Sequence, residues 1–150
     1  MPETATEIDP LALAEALRPT LLQVGRELRR EARAVGISPE QVSLLVIIRK
    51  EPGIGLRALA AKERVSPPAM TKHVDRLERD GLVTRTAKAD DRRCVGVTLT
   101  DEGQKVLRRV RSRRTAWLTA RLRELDPDEL AAVEAAAAPL RKLLPEEERP

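Results

Sequence analysis

Most apolar residues of this 150-residue chain recur every third or fourth position, and the rhythm changes to alternation in one region only, around residues 82–100. A period near 3.6 marks a single buried stripe along a helix, whereas a period of two marks one face of a strand. The pattern therefore restricts the chain to a mainly helical fold carrying one small β-hairpin.

Ile8 to Val35 reads as a first helix, with Leu11, Ala14, Leu17, Leu21, Val24, Leu28, Ala32 and Val35 on one stripe. Pro19 lies inside it and is expected to kink or split it, because proline removes a backbone donor and crowds the preceding turn. Gly36 ends it. Ser38-Pro39-Glu40-Gln41 then supplies an N-cap, a first-turn proline and a capping-box glutamine. The second helix carries Val42, Leu45, Val46 and Arg49, and Glu51-Pro52-Gly53 stops it. Two shorter helices follow, Leu56–Glu63 and Ser66–Asp80, joined by the tight link Arg64-Val65 and closed by Gly81. Leu82–Arg85 reads as one strand and Cys94–Thr100 as another, with Val95, Val97 and Leu99 on one face and a polar loop between the strands. Thr100 caps a long helix reaching about Leu125, and Asp126-Pro127-Asp128-Glu129 starts a last helix that Pro139 should bend. The expected architecture is mainly α, with about six helices and two to three short strands.

With no Tyr, no Phe and one Trp, the core must be aliphatic. No apolar run approaches the roughly 20 residues of a membrane span. The polar, acidic start MPETATEIDP does not read as a targeting segment, so the expectation is a cytoplasmic protein with no membrane partner. Cys94 is the single cysteine, which leaves no intrachain disulfide and no multi-cysteine metal site.

Charge is unevenly spread. Residues 55–114 hold 16 Lys/Arg against 8 Asp/Glu, a local net of +8, although the whole chain carries only +4. A basic middle between acidic flanks fits a nucleic-acid-binding module on a scaffold; Arg-rich solvated helix faces would show the same totals.

Two helices on a short link followed by a hairpin make a winged helix-turn-helix, whose second helix must offer one face to the core and the other to a DNA groove. At about 100° per residue, Met70, Val74 and Leu77 fall on an inward arc. Pro68, Lys72, Asp75, Arg76 and Arg79 fall on the far side. Cations there suit phosphate contact and guanine readout, though any amphipathic surface helix is charged outside.

The segments that follow this pattern, Leu59-Ala60, Val65-Ser66, Asp75-Arg76-Leu77-Glu78 and Gly81-Leu82-Val83, together with Asp91, Arg93, Val97, Leu99 and Thr100, occur in the order and spacing of the MarR family of transcriptional regulators, which the chain resembles over nearly its whole length. The resemblance implies residues 38–100 as the winged DNA-binding domain and 8–35 with 101–145 as dimerisation helices. It implies a homodimer on double-stranded DNA, acting as a repressor at a pseudo-palindromic operator, with room for a small organic effector and no cofactor. Arg93 at the end of the wing loop would enter a minor groove, oriented by Asp91, because a narrow minor groove concentrates negative potential. Arg92 and Lys88 would touch phosphate. Lys72 and Arg76 would reach bases or phosphates, Ser66 and Thr71 would bond phosphate near the helix start, and Arg57 would hold the backbone.

His73, the only histidine, sits about 60° from the centre of the inward arc and is expected to be half-buried. Cys94 is expected to be structural, and Trp117 to line a dimer core or a pocket wall. With one His, one Cys, no Tyr and no Gly-rich phosphate loop, no catalytic constellation can be assembled. Two other readings remain at this point: a winged module that binds protein, and an architectural binder indifferent to sequence.

Overall fold

The computed structural model describes residues 7–87 and 95–150. Helix starts fall where short polar side chains can take up free amide donors. Asp9 accepts from the Leu11 amide at 3.0 Å and opens α1, Pro10–Arg33. Ser38 and Gln41 exchange hydrogen bonds of 3.0 and 3.1 Å at the start of α2, Pro39–Lys50. Then come β1 (Ile54–Gly55), α3 (Leu56–Glu63), α4 (Pro67–Arg79), β2 (Val83–Ala87) and β3 (Val95–Leu99). The long helix α5 spans Asp101–Leu122, and α6, Pro127–Arg141, opens on a second reciprocal cap between Asp126 and Glu129. A short 3-10 turn covers Glu146–Glu148.

The chain divides into two compact units, Met1–Arg114 and Thr115–Pro150. In the first, the sheet is antiparallel with order β1-β3-β2. Val83 pairs with Leu99 and Arg85 with Val97 on one side, and Ile54 pairs with Val97 on the other. The core is aliphatic: Leu45, Ile48, Leu59, Met70, Val74, Leu77, Val97 and Val110 are its largest fully buried side chains. Burying each such residue contributes about 1.5–3 kcal/mol. In the second unit, α6 has no buried residue. There Trp117 is half-buried, and the Arg121 guanidinium lies 4.2 Å from its ring centroid.

Two expectations need correction. Pro19 does not split α1, which runs unbroken through it. Glu15 and Pro19 are both exposed, so water can take the carbonyl that the missing donor leaves free. Pro139, expected to bend the last helix, lies inside a continuous α6. Val95, expected inward with Val97 and Leu99, is 38% exposed. β1 joins the two strands read from the pattern. Its neighbour Gly53 donates to the Val97 carbonyl at 2.9 Å, and a side chain at Gly96 would come within 2.5 Å of the Gly53 carbonyl oxygen. Two glycines at that crossing let the edge strand lie close.

Candidate nucleic-acid interface

The turn between α3 and α4 is made by two residues. Arg64 adopts φ 55°, ψ 41°, a left-handed conformation that reverses the chain, and it is the sole non-glycine residue with positive φ among those described. Val65 then donates to the Ala60 carbonyl at 3.1 Å and packs against the core. Ser66 accepts from the Ala69 amide at 3.3 Å and starts α4 at once. Prolines 67 and 68 occupy the first turn, where their missing donors leave nothing unsatisfied.

The two faces of α4 separate as the wheel implies. Met70, Val74 and Leu77 are fully buried, whereas Pro68, Lys72, Arg76 and Arg79 are exposed. Among the described residues these three cations face no carboxylate within ion-pair distance. Ser66 and Thr71 are exposed at the helix start, and the Thr71 hydroxyl donates to the Pro67 carbonyl at 3.1 Å. Arg57 is exposed at the second position of α3. The wing residues Lys88, Asp91, Arg92 and Arg93, and Cys94 with them, lie outside the described residues. His73 is exposed rather than half-buried; its flank of α4 is not covered by a neighbouring element.

Asp75 is half-buried and engaged. Arg85 on β2 reaches back to α4, with Nη2 2.5 Å from Asp75 Oδ1 and Nη1 3.4 Å from Glu78 Oε1. Its Nε is buried without a hydrogen-bond partner among the described residues. Sequence reasoning assigned Arg85 no role, yet two acids three positions apart on a helix, followed by an arginine on the next strand, are a readable charge pattern. The effect is to fasten the flank of α4 to the strand that leads toward residues 88–94.

The far end of the hairpin is tied to the same helix. Leu82 donates to the Leu77 carbonyl at 2.9 Å and accepts from the Thr100 amide at 3.1 Å. The Thr100 hydroxyl donates to the Gly81 carbonyl at 2.6 Å and accepts from the Gly103 amide at 3.1 Å. The end of α4, both strands and the start of α5 thus share one hydrogen-bonded junction.

A short-turn helix pair, an outward cationic second helix and a braced hairpin define a winged helix-turn-helix module. A family model described as the MarR family matches residues 37–95. An HTH-type transcriptional regulator of Mycobacterium tuberculosis is 32% identical over 125 residues, covering 83% of this chain and 87% of that protein. The HTH-type transcriptional repressor MdtR of Bacillus subtilis is 29% identical over 119 residues, covering 79% and 72%. The crystal structure of wild-type MarR in its apo form from Escherichia coli superposes with a TM-score of 0.72 at 28% identity, covering 93% and 99%. The chain belongs to the MarR family of transcriptional regulators. It is therefore a DNA-binding regulator and not an enzyme. No helix among the described residues is long and apolar enough to cross a membrane.

Proposed function

We propose that the protein is a repressor that binds a pseudo-palindromic operator as a homodimer, with α4 of each protomer in a major groove. The observation that carries this reading is the division of α4: Met70, Val74 and Leu77 fully buried, and Lys72, Arg76 and Arg79 exposed without a carboxylate partner. Lys72 and Arg76 are the base-edge and phosphate contacts, with Arg79 beside them. Ser66 and Thr71 meet phosphate at the helix start, where amide dipoles favour anions. Pro68 packs on the groove wall, Arg57 holds the backbone, and Asp75 acts through its bridge to Arg85. Lys88, Asp91, Arg92 and Arg93 serve the adjoining minor groove, as the family resemblance implies. Repression is supported by the name of the B. subtilis relative, and by the fact that a dimer seated on a promoter excludes polymerase without further parts.

Dimerisation is supported by apolar surface that each unit leaves in water. In the first unit Ile8, Leu11, Leu13, Leu21 and Leu22 of the N-terminal segment are 46–73% exposed; in the second, Leu118, Leu130, Val133, Leu143 and Leu144 are 38–70% exposed. Patches of this kind mark interaction surfaces, and a twofold dimer sets half-sites about one helical turn apart. An effector carrying a carboxylate has a candidate place in a groove of about 650 Å³ lined by Ala34, Val35, Lys105, Arg108 and Ser112. An arginine there can hold an anionic head beside an apolar body.

The test is titration of the protein against its own upstream intergenic DNA and an unrelated duplex of equal length, across a salt series, with Arg76→Ala and Arg93→Ala alongside. A preference of roughly 10³ or more for the upstream DNA, with a large loss in both variants, is the expected result. Equal affinity for the two duplexes in all three proteins refutes the operator reading. No binding even at low salt refutes the DNA interface altogether.

A further inference from the structure

The cationic face of α4 does not stop at Arg76. Going round the helix at about 100° per residue, His73 follows on the flank turned toward the start of α2, and it is exposed. There Glu40 meets the last turns of α1. Its carboxyl is held below the usual carboxylate range by backbone hydrogen bonding at its own position, then by the Ser38 side chain, and further by the neighbouring charges of Arg33 and His73. Beyond Glu40, a groove of about 310 Å³ is lined by Arg26, Arg29, Arg30, Arg33, Pro39 and Glu40.

Arginines at positions 26, 29, 30 and 33 occupy a single face, since residues three and four apart on a helix are neighbours. They span about 10 Å along the axis at 1.5 Å per residue. Arg30 meets Glu27 at 2.7 Å, a surface pair that water and salt readily exchange. Arg26, Arg29 and Arg33 have no ion-pair partner among the described residues. Behind them Arg114 of α5 donates from Nε to the Leu28 carbonyl at 3.1 Å. Its guanidinium pKa is pushed down by burial and then by the positive charge of Arg29. Like charges are thus crowded here, with Glu40 the single acid lining the groove among the described residues. Arg30 and Arg33 also complement the negative end of the α1 dipole, but that does not account for Arg26 and Arg29, which lie further from the end.

We propose that this arginine row is a second DNA contact, holding the phosphate backbone of the same duplex that α4 reads, on the side of α4 away from the wing. Glu40, which lines the groove with Arg33, also feels the charge of His73, so the arginine row lies beside the flank of α4 that carries His73. The chemistry recognised is a run of phosphates rather than base edges, because guanidinium groups on one helix face offer charge and donors in a row without a groove-reading geometry. This inference rests on the DNA-binding reading above.

The experiment compares wild type, the triple variant Arg26→Gln/Arg29→Gln/Arg33→Gln, the matching triple to Lys, and Arg76→Ala. Each is titrated by fluorescence anisotropy against its upstream intergenic duplex and a mixed-sequence duplex of equal length, from low to moderate salt. All substituted side chains are exposed, and circular dichroism melting confirms that the variants fold. In the glutamine triple the slope of log K against log salt should fall by roughly 5, about 0.9 for each of the six arginines lost from the dimer, on both duplexes alike, with the preference between them unchanged. The lysine triple should keep most of the slope. Arg76→Ala should change the preference itself. A glutamine triple with the wild-type slope, while Arg76→Ala still weakens binding, overturns the arginine row and leaves the α4 interface standing. A change confined to the upstream duplex overturns it as well, since a backbone contact cannot choose sequence. Wild type that binds neither duplex removes the DNA reading and this proposal with it.

Discussion

Replacing Gly103 and Gly25 by alanine, one at a time, makes the same chemical change in two helices and should move stability in opposite directions. In a helix interior alanine is favoured over glycine by about 1 kcal/mol, because it restricts the unfolded chain. At Gly25, inside α1, the nearest atom to a new Cβ is Arg29 Nη1 at 3.4 Å, the movable end of a long side chain. Nothing there opposes the gain, so Gly25→Ala should stabilise by about 0.5–1 kcal/mol. At Gly103, in the first turn of α5, the Cβ would lie well inside contact distance of the Leu82 carbonyl oxygen, with the carbonyl carbon 3.1 Å away. That carbonyl cannot swing aside without loss, because it accepts from Thr100 at 3.1 Å while the Leu82 amide is held by Leu77. Overpacking costs about 1–3 kcal/mol; against a backbone carbonyl this close the upper part of that range, about 2–3 kcal/mol, applies, and subtracting the propensity gain leaves a net loss near 1–2 kcal/mol. For a chain of this size that lowers Tm by roughly 2–8 °C. Thermal melting by circular dichroism, repeated at several protein concentrations, reads both variants. If Gly103→Ala melts at or above wild type, the close approach of α5 to Leu82 is not the constraint described, and the reasoning fails.

Arg85→Ala should cost about 0.5–1.5 kcal/mol, since its two ion pairs are partly exposed and the truncation also removes packed methylenes. A double-mutant cycle with Asp75→Asn, read by urea denaturation, should show a coupling energy of a few tenths of a kcal/mol or more; strict additivity would mean that the bridge does not operate. The pH prediction concerns Glu40. Its folded pKa lies below the ordinary glutamate value of 4.5, so its stabilising contribution is present above that value and is lost as pH falls through the lower, folded one. Glu40→Gln should therefore flatten the acid limb of the stability curve below about pH 4.5 and leave neutral pH nearly unchanged, and an unchanged acid limb would contradict the assignment.

What could be read ahead from residues was whatever depends on local chemistry. Ser38, Ser66, Thr100 and Asp126 mark helix starts because an N-cap needs only a short polar side chain and a helix after it. Met70, Val74 and Leu77 face inward because three positions at helical spacing admit one common direction. Features that depend on a second element were harder to see. β1 has two residues and neighbours glycines, so it carries no period at all. Whether His73 is covered depends on where α2 lies, which the wheel of α4 does not contain. Pro19 looked like a break because proline removes a hydrogen bond; whether that loss matters depends on water reaching Glu15. Arg85 went unassigned because its partners stand on another element, ten and seven residues back. The wing residues Lys88, Asp91, Arg92 and Arg93 rest on the family resemblance, since they lie outside the described residues.

The junction at Thr100 bears on how such a chain can change over evolutionary time. Both ends of the hairpin are anchored before the wing begins: Leu82 and Thr100 bond to each other, and the Val83–Leu99 pairing fixes which residues oppose one another from there on. Loop length alters closure entropy only slowly. Insertions, deletions and substitutions between Ala87 and Val95 can therefore accumulate without shifting the strand register or the seating of α4. With the wing reading DNA as proposed, a lineage can retune what it recognises while the rest of the reading head is inherited intact, so divergence in operator preference need not pass through an unstable intermediate.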